Sequence, residues 1–452
     1  MRRFCSFIGS LMLLAGCAAP RPLPAPQSSP SPTPPMGWNS WNSGVPLTEQ
    51  NIEQTIDAMM RSGMRDAGYR YVNLDAGWAD ATRDGEGELR ADPVRFPSGI
   101  AAVAQYAHDR GMLLGLYASP GYELCGIGKE NASTGHESAD AATFARWGVD
   151  YLKYDWCSTD TDRSDQVRAF THMRTALRAS GRHILYSINP NTSVDPDAGS
   201  AYDWSSIADM SRNTIDLVPL WHNDFSAEQA VIGVMDQVRA AAAVRARSRP
   251  GYWNDPDMLV AGISWPDFVA DHPGMFASLA LPGTVGPDQL SAATQSSSAA
   301  SELATLIGGQ RPSMTDDEQR SHLSLWAMLA APMLAGNDVR SMSDATRTIL
   351  TNPDIIAVDQ DALVIQGHPL PQDPRIIVKP LADGAVAVAL LNPDQQPASI
   401  DTTAAAVGLP ASPCYPIRDL WAHTNRTTSG DIGAEGIPPH ATAVLRVGPH
   451  CT

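Results

Sequence analysis

Tyr151-Leu152-Lys153-Tyr154-Asp155-Trp156-Cys157 is the stretch whose reading decides the fold. Val149, Tyr151, Leu152 and Tyr154 suit a short buried strand. Gly148 comes just before it, and an apolar-patterned helix over 139–147 comes before that. The strand carries two charges, Lys153 and Asp155, two residues apart, and side chains two apart on a strand share a face. A lysine and a carboxylate therefore meet at the carboxyl end of a buried strand. There the ammonium offsets the desolvation of the carboxylate and is expected to hold it ionised. An ionised carboxylate in such a place can act as a nucleophile. The same pattern fits a buried structural ion pair, and the strand alone does not choose between the two.

Outward from this strand the chain alternates strand and helix. Upstream strands are read at Met36-Gly37-Trp38, at 69–74 ending on Asp75, and at 113–117. Downstream strands are read at 183–188, within 207–216, at 252–257 and at 332–336. Helices lie between them. Thr48 caps one whose Ile52, Ile56, Met59, Met60 and Met64 recur at helical spacing. Others cover 97–110, 163–180, 315–329 and 343–350, and Ser226 is read as the cap of a long Ala-rich helix reaching about Arg247. Eight such units predict an α/β fold, a TIM (β/α)8 barrel over residues 36–367, with the active site at the carboxyl ends of the strands. Trp38, Asp75, Tyr117, Asp155, Asn189, Asp216 and Asp257 fall at those ends. A doubly wound open sheet is the architectural alternative, but no Gly-rich dinucleotide turn follows the first strand. Residues 263–314 form a long irregular insertion rich in Pro, Gly, Ser and Ala, of the kind that is functional or mobile in a compact domain. From about Arg375 the pattern changes to short strands with Asp-Gly, Asn-Pro and Pro-Pro turns, which predicts a small antiparallel β-sandwich over 368–452.

The net charge of −17 argues against nucleic acid and against anionic membrane surfaces as partners. With no Walker-type loop, zinc-spaced Cys/His cluster or EF-hand loop, neither cofactor nor metal is expected. The N-terminus pairs Arg2 and Arg3 with an apolar run over 4–14, too short to span a bilayer, so 1–17 reads as a signal peptide. Leu14-Ala15-Gly16-Cys17 resembles a bacterial lipobox. It predicts lipidation of Cys17 and an exported lipoprotein, periplasmic or at the cell surface, that meets the membrane only through its anchor. Residues 18–35 form a Pro/Ser-rich tether. Of six cysteines, Cys5 lies in the signal and Cys17 is the lipidation candidate. Cys125, Cys157, Cys414 and Cys451 remain for an oxidising compartment, where four cysteines allow three connectivities. Cys125–Cys157 and Cys414–Cys451 are preferred, because each pair falls within one proposed domain.

The motifs MGWNSW (36–41), YRYVNLDAGW (69–78), GHESADAATFARWGVDYLKYDWC (135–157), YWNDPDML (252–259) and SLWAMLAAPMLAGND (324–338) resemble glycoside hydrolase family 27, the α-galactosidase or melibiase family. The resemblance runs from Met36 to about Gly367, and the C-terminal sandwich fits it. It implies a retaining exo-glycosidase that removes terminal α-D-galactosyl residues from oligosaccharides or polysaccharides. It makes Asp155 the nucleophile and Lys153 a lysine contacting sugar hydroxyls. Arg212-Asn213-Thr214-Ile215-Asp216 resembles the family's Arg-x-x-x-Asp, whose aspartate is the acid/base. Trp38 matches the aromatic floor of the sugar pocket, Asp75 a carboxylate gripping axial and primary hydroxyls, and Tyr117 and Cys125 wall positions. Cys125 is implied to be disulfide-bonded to Cys157, and Met258 matches the methionine after Asp-Pro-Asp.

The chemistry needs one ionised and one protonated carboxylate about 5–5.5 Å apart across the glycosidic bond. Asp216 is expected to keep its proton through burial or a nearby carboxylate. From the residues alone, Asp209, Asp224 and Asp257 compete with it as the acid. The sequence also departs from the family. Ala76 stands where a second aspartate usually follows Asp75, Ile188-Asn189-Pro190-Asn191 replaces Cys-Glu-Trp after the fifth strand, and Ser119 replaces an aspartate after the third. These departures keep three alternatives in view: a β-L-arabinopyranosidase, an α-glucoside-releasing relative, and a catalytically silent glycan-binding surface lipoprotein. Retention of both Asp155 and Asp216 argues against the last. Oligomeric state carries no signal in the sequence.

Overall fold

The strands around the site are three to six residues long and buried on both faces, as expected where a parallel sheet is covered by helices. The computed structural model describes residues 33–121, 124, 131–156, 163–190, 202–222, 231–272 and 311–451. The strands β1 (Met36–Asn39), β2 (Tyr71–Leu74), β3 (Leu113–Ala118), β4 (Tyr151–Asp155), β5 (Leu185–Asn189) and β6 (Met210–Arg212) follow in chain order. A minor parallel pair, β7 (Asp216–Leu217) and β8 (Val231–Ile232), precedes β9 (Trp253–Asp255) and β10 (Met333–Ala335). Eight strands form one parallel sheet in the order β10-β1-β2-β3-β4-β5-β6-β9. Its two edges meet at a parallel bridge between Leu259 and Ala335, where Leu259 donates to Leu334 O (2.7 Å) and accepts from Gly336 N (2.9 Å). The barrel predicted from the alternating pattern is therefore present.

The interior shows why these residues face as they do. Tyr151, Leu185, Met210, Trp253, Met258, Ala330, Leu334 and Val364 pack into one buried cluster with Tyr71 against it, drawing on β2, β4, β5, β6, β9 and β10. Those residues fill the barrel axis, so alternation sends Lys153 and Asp155, Ser187 and Asn189, Arg212, and Asp255 inward as well. Gly115 on β3 makes room for this filling. A Cβ there would lie 2.0 Å from Asn73 Oδ1 and 3.0 Å from the Tyr151 ring.

The helices form as their patterns require. Thr48 caps the helix Glu49–Arg61 by accepting from Asn51 N, and Ile52, Ile56 and Met59 face the core. Met60, read as part of that apolar stripe, points outward and is 38% exposed. The helix Asp316–Leu329 starts in a full capping box between Thr315 and Glu318. The Ala-rich helix differs from expectation. It runs Val234–Ala243 from Gly233, and Ser226 lies outside the described residues. Only the ends of the 263–314 insertion are described, and its start is regular: Ser264 caps the helix Trp265–Asp271. A helix absent from the sequence reading, Pro353–Asp359, follows Asn352, which caps it through Asp354 N and Ile355 N.

The C-terminal strands are β11 (His368–Pro369), β12 (Ile376–Pro380), β13 (Val386–Leu391), β14 (Ala398–Thr403), β15 (Tyr415–Asp419), β16 (Asn425–Thr428), β17 (Asp431–Ile437) and β18 (Thr442–Val447). They pair as a six-stranded antiparallel sheet, β11-β12-β13-β18-β15-β16, and a second sheet, β14-β17, around their own apolar core. Cys414 and Cys451 are disulfide-bonded. Cys17, Cys125 and Cys157 lie outside the described residues. Among the described residues no helix is long and apolar enough to cross a membrane.

Candidate active site

Inward-facing residues at the carboxyl ends of the strands line a narrow cavity that opens to solvent. Asn39, Tyr151, Lys153, Ser187, Asn189, Arg212, Asp255, Asp257, Met258 and Leu334 line it. Among the sequence-predicted residues, Lys153, Asn189, Arg212 and Met258 are on this wall. Asp155 ends β4 directly beside Asn189 in the strand register. Tyr117 is buried on β3, its ring centroid 5.4 Å from Lys153 Nζ.

Asp75 follows β2 and is 2% exposed. Its Oδ2 accepts from Asn39 Nδ2 (3.0 Å) and Lys153 Nζ (2.7 Å), and its Oδ1 from Ala76 N (2.9 Å). Lys153 thus makes its ion pair with Asp75 across two strands, while Asp155 shares its strand face. Burial would lower the Lys153 ammonium, but Asp75 and Asp155 together raise it above the ordinary lysine value. For Asp155 the balance differs from the expectation. Burial pushes its carboxyl up to about 7, more than the charge on Lys153 lowers it, and the charge on Asp216 raises it further.

A second charge network surrounds Arg212. Its Nη2 donates to Asp216 Oδ1 (3.0 Å) and Thr214 O (3.2 Å) and lies 3.2 Å from Asp257 Oδ2. Asp257 Oδ2 also accepts from Leu217 N (2.9 Å), next to Asp216. Asp257 takes this position with φ +80°, a backbone region that non-glycine residues rarely adopt. Asp255, on the same wall, is pushed up to about 6, chiefly by burial. The side chain of Asp216 is 52% exposed, so the burial expected of it as one of two alternatives is not observed. Of the competing acids, Asp209 stands at the amino end of β6. There it accepts from Arg174 Nη1 and Nη2 and from Tyr186 N, at the opposite end of the barrel from the cavity. Asp224 lies outside the described residues.

Trp38 does not face the cavity. It is 0% exposed, packs between sheet and helices, and donates through its ring nitrogen to Asn337 O (2.8 Å). The reason is alternation: on β1 Asn39 points inward, so Trp38 points outward. The exposed tryptophan at this mouth is Trp41, 37% exposed, whose N–H donates to Asn39 Oδ1 (2.8 Å). Its parity with Gly37 and Asn39 in MGWNSWN was the signal that could have found it. Asp255 and Ser187, also missed, follow from the same alternation on β9 and β5. Among the described residues no three His, Cys, Asp or Glu side chains converge as a metal-holding group.

A family model described as Alpha galactosidase A matches residues 33–296 and 288–361, and one described as Alpha galactosidase C-terminal beta sandwich domain matches 371–447. The chain belongs to glycoside hydrolase family 27. Its similarity to family 27 relatives extends over most of its length. It is 36% identical over 414 residues to an alpha-galactosidase of Cyamopsis tetragonoloba, covering 90% of this chain and 84% of the relative. It is 37% identical over 365 residues to alpha-galactosidase A of Cellvibrio japonicus, covering 80% and 76%. The crystal structure of alpha-galactosidase I from Mortierella vinacea superposes with a TM-score of 0.74 at 28% identity, covering 93% of this chain and 98% of that one. This family 27 protein is accordingly a hydrolase of O-glycosyl bonds.

The raised Asp155 carboxyl has a consequence for stability. Its folded value, about 7, lies above the ordinary 3.8, so the native state holds a proton there that the unfolded chain releases. Stability from this group is therefore present at low pH and is lost as pH rises from about 4 through about 7. Asp155→Asn removes the loss. Its gain is expected to be about 1–3 kcal/mol at pH 8, below the ceiling of about 4 kcal/mol that a shift of this size implies, and to vanish near pH 4. Thermal unfolding of wild type and variant at both pH values checks this, and a variant no more stable than wild type at pH 8 contradicts it.

Proposed function

We propose that this chain is a retaining exo-α-galactosidase in which Asp155 is the nucleophile and Asp216 the acid/base. The observation that carries the reading is the convergence of the Lys153–Asp155 strand and the Arg212–Asp216 segment at the carboxyl end of one barrel, electrostatically coupled to each other. Asp155 attacks the anomeric carbon while Asp216 gives its proton to the leaving oxygen, which yields a covalent glycosyl-enzyme and the free aglycone. Asp216 then takes a proton from water as that water attacks the same carbon and releases Asp155. Two displacements return the α-anomer. Lys153 and Asp75, locked together, present a donor and an acceptor to ring hydroxyls, and Trp41 offers an aromatic face at the mouth. Exo action rests on the similarity to alpha-galactosidases over most of the chain. A panel of nitrophenyl glycosides tests the reading. The α-galactoside should be cleaved fastest, with α-galactose as the first product seen by NMR; β-galactose as first product removes the double-displacement mechanism.

A specific observation bears on the sugar. Ala76, beside Asp75, joins Tyr117, Leu124 and Ala132 in a small buried apolar cluster. An apolar wall there, where relatives of this type place a second aspartate, withdraws a partner from one substrate hydroxyl, a loss of about 1–3 kcal/mol. It moves the preference between α-galactosides and β-L-arabinopyranosides, which lack the C6 arm, toward parity. Ala76→Asp is expected to raise kcat/KM for the α-galactoside over the β-L-arabinopyranoside by about tenfold. An unmoved ratio would show that residue 76 does not face C6.

Export as a lipoprotein anchored through Cys17 is also proposed, on the Leu14-Ala15-Gly16-Cys17 motif after the apolar run. An intact mass lacking diacylglycerol on Cys17 in membrane-extracted protein contradicts it.

A further inference from the structure

The segment that carries Asp216 does not end at the cavity. From β7 it runs through Val218 and Leu220 to Trp221 and His222, laid against the stretch that opens the helix Val234–Ala243. Val218 N donates to Ile232 O (3.0 Å), Val234 N to Leu220 O (2.9 Å) and Met235 N to Trp221 O (3.1 Å). The contact is backbone to backbone: a Cβ on Gly233 would lie 2.9 Å from both His222 C and Leu220 O. Gln237 of the same helix donates to Ile215 O, immediately before the acid. Asp216 is therefore one end of a continuous ribbon, and Trp221 is its other end.

Trp221 packs in the barrel's apolar core and is met there by a residue of the other domain. It is 5% exposed, and its ring nitrogen has no hydrogen-bond partner among the described residues. It is held by stacking on the imidazole of His440, with centroids 5.3 Å apart and planes 16° from parallel. His440 lies in the sandwich, between β17 and β18, in the left-handed region at φ +59°, a conformation costly for a non-glycine residue and kept only by its contacts. Those contacts hold it on every side. Its Nδ1 meets Glu318 Oε1 (2.6 Å) in the first turn of the helix Asp316–Leu329, its Nε2 meets Gln395 Nε2 (2.9 Å), and its carbonyl accepts from Ser321 Oγ (2.7 Å). His222 completes the ring cluster, 6.3 Å from His440.

We propose that His440 is a positioning residue for the acid/base: the β-sandwich reaches back to the barrel through the His440–Trp221 stack and sets the place of Asp216. The sandwich is then part of the catalytic apparatus rather than an appended domain. This rests on Asp216 being the acid/base.

The test reads leaving-group dependence, which a merely structural role does not move. His440→Ala should lower kcat/KM about tenfold for galactosides with poor alkyl leaving groups and leave a dinitrophenyl galactoside within about twofold, because help from an acid is needed least when the leaving group departs easily. His440→Phe keeps the stack and should restore most of the loss. Trp221→Leu removes the stack from the other side without touching the His440–Glu318 contact, and it should reproduce the His440→Ala pattern if that variant fails to fold. Asp216→Ala is the control. If Asp216→Ala shows the leaving-group signature and neither His440→Ala nor Trp221→Leu does, the positioning role is overturned while the acid stands. If Asp216→Ala shows no such signature, both fall together.

Discussion

Asp155→Ala lowers turnover of α-galactosides by about 10⁴-fold or more, the scale on which enzymes lose activity when a nucleophile is deleted, and azide restores part of it. The expectation follows from placement. Asp155 ends β4 on the same inward face as Tyr151 and Lys153, at the carboxyl end of the barrel. It is 9% exposed, so removing the carboxylate leaves a small polar-walled gap at the position from which attack occurs. Azide fits that gap and attacks the anomeric carbon from the face opposite the leaving oxygen. A single displacement gives β-galactosyl azide, and the anomeric form of the product, read by NMR, identifies the side of the sugar on which residue 155 stood. Rescue that yields α-galactosyl azide, or full activity without azide, removes Asp155 from the role. Asp155→Asn keeps the shape but fills the gap, so it should be as inactive as the alanine variant and respond far less to azide.

The strand around Asp155 was legible because its residues are in local register: alternation alone puts Lys153 and Asp155 on one face, and the sheet leaves them there. What alternation could not show is which carboxylate Lys153 would choose. Its partner is Asp75, 78 residues earlier, brought alongside when β2 and β4 flank β3. Sequence proximity suggested that the ammonium would serve Asp155, and the long-range pairing redirects it. Burial then outweighs the remaining attraction, and the Asp155 carboxyl rises to about 7. The misplaced tryptophan has a different origin. Trp38 and Trp41 differ in parity, and a strand read only as Met36-Gly37-Trp38 gives no direction until a neighbour such as Asn39 is seen lining the cavity. The acid was hardest to choose. β6 and β9 span three residues each, too short for a period, and Asp209, Asp216 and Asp257 all border them. Only the closed sheet separates these three, since Asp209 stands at its amino end, bonded to Arg174, while Asp257 is tied to Arg212 and Leu217 N. The sandwich was legible as a class from its turn residues, but its contacts with the barrel, from Lys379 Nζ to Ala327 O (2.7 Å) or from His440 to Glu318, join positions far apart in the chain.

Asp216→Ala should separate substrates by leaving group rather than abolish all of them. General acid help contributes about 10²–10⁴-fold when the leaving oxygen is a poor one and little when it departs as a stabilised phenolate. Loss of kcat/KM should therefore reach that range for a galactosyl disaccharide and stay small for a dinitrophenyl galactoside, whose kcat should still fall because Asp216 also activates water in the second displacement. Azide replaces that water without needing a base, so it should raise kcat for the dinitrophenyl substrate and give α-galactosyl azide, the anomer opposite to that from Asp155→Ala. The geometry suits the double role. Half of the Asp216 side chain faces solvent in the free protein, where incoming water can reach it, and Arg212 holds one oxygen at 3.0 Å while Asp257 anchors the next backbone N–H. A sugar seated between Asp155 and Asp216 would cover that exposed half. Equal losses on both substrate types would take the acid away from Asp216. Asp257, on the cavity wall with its carboxyl raised by burial, would then be the residue to replace next.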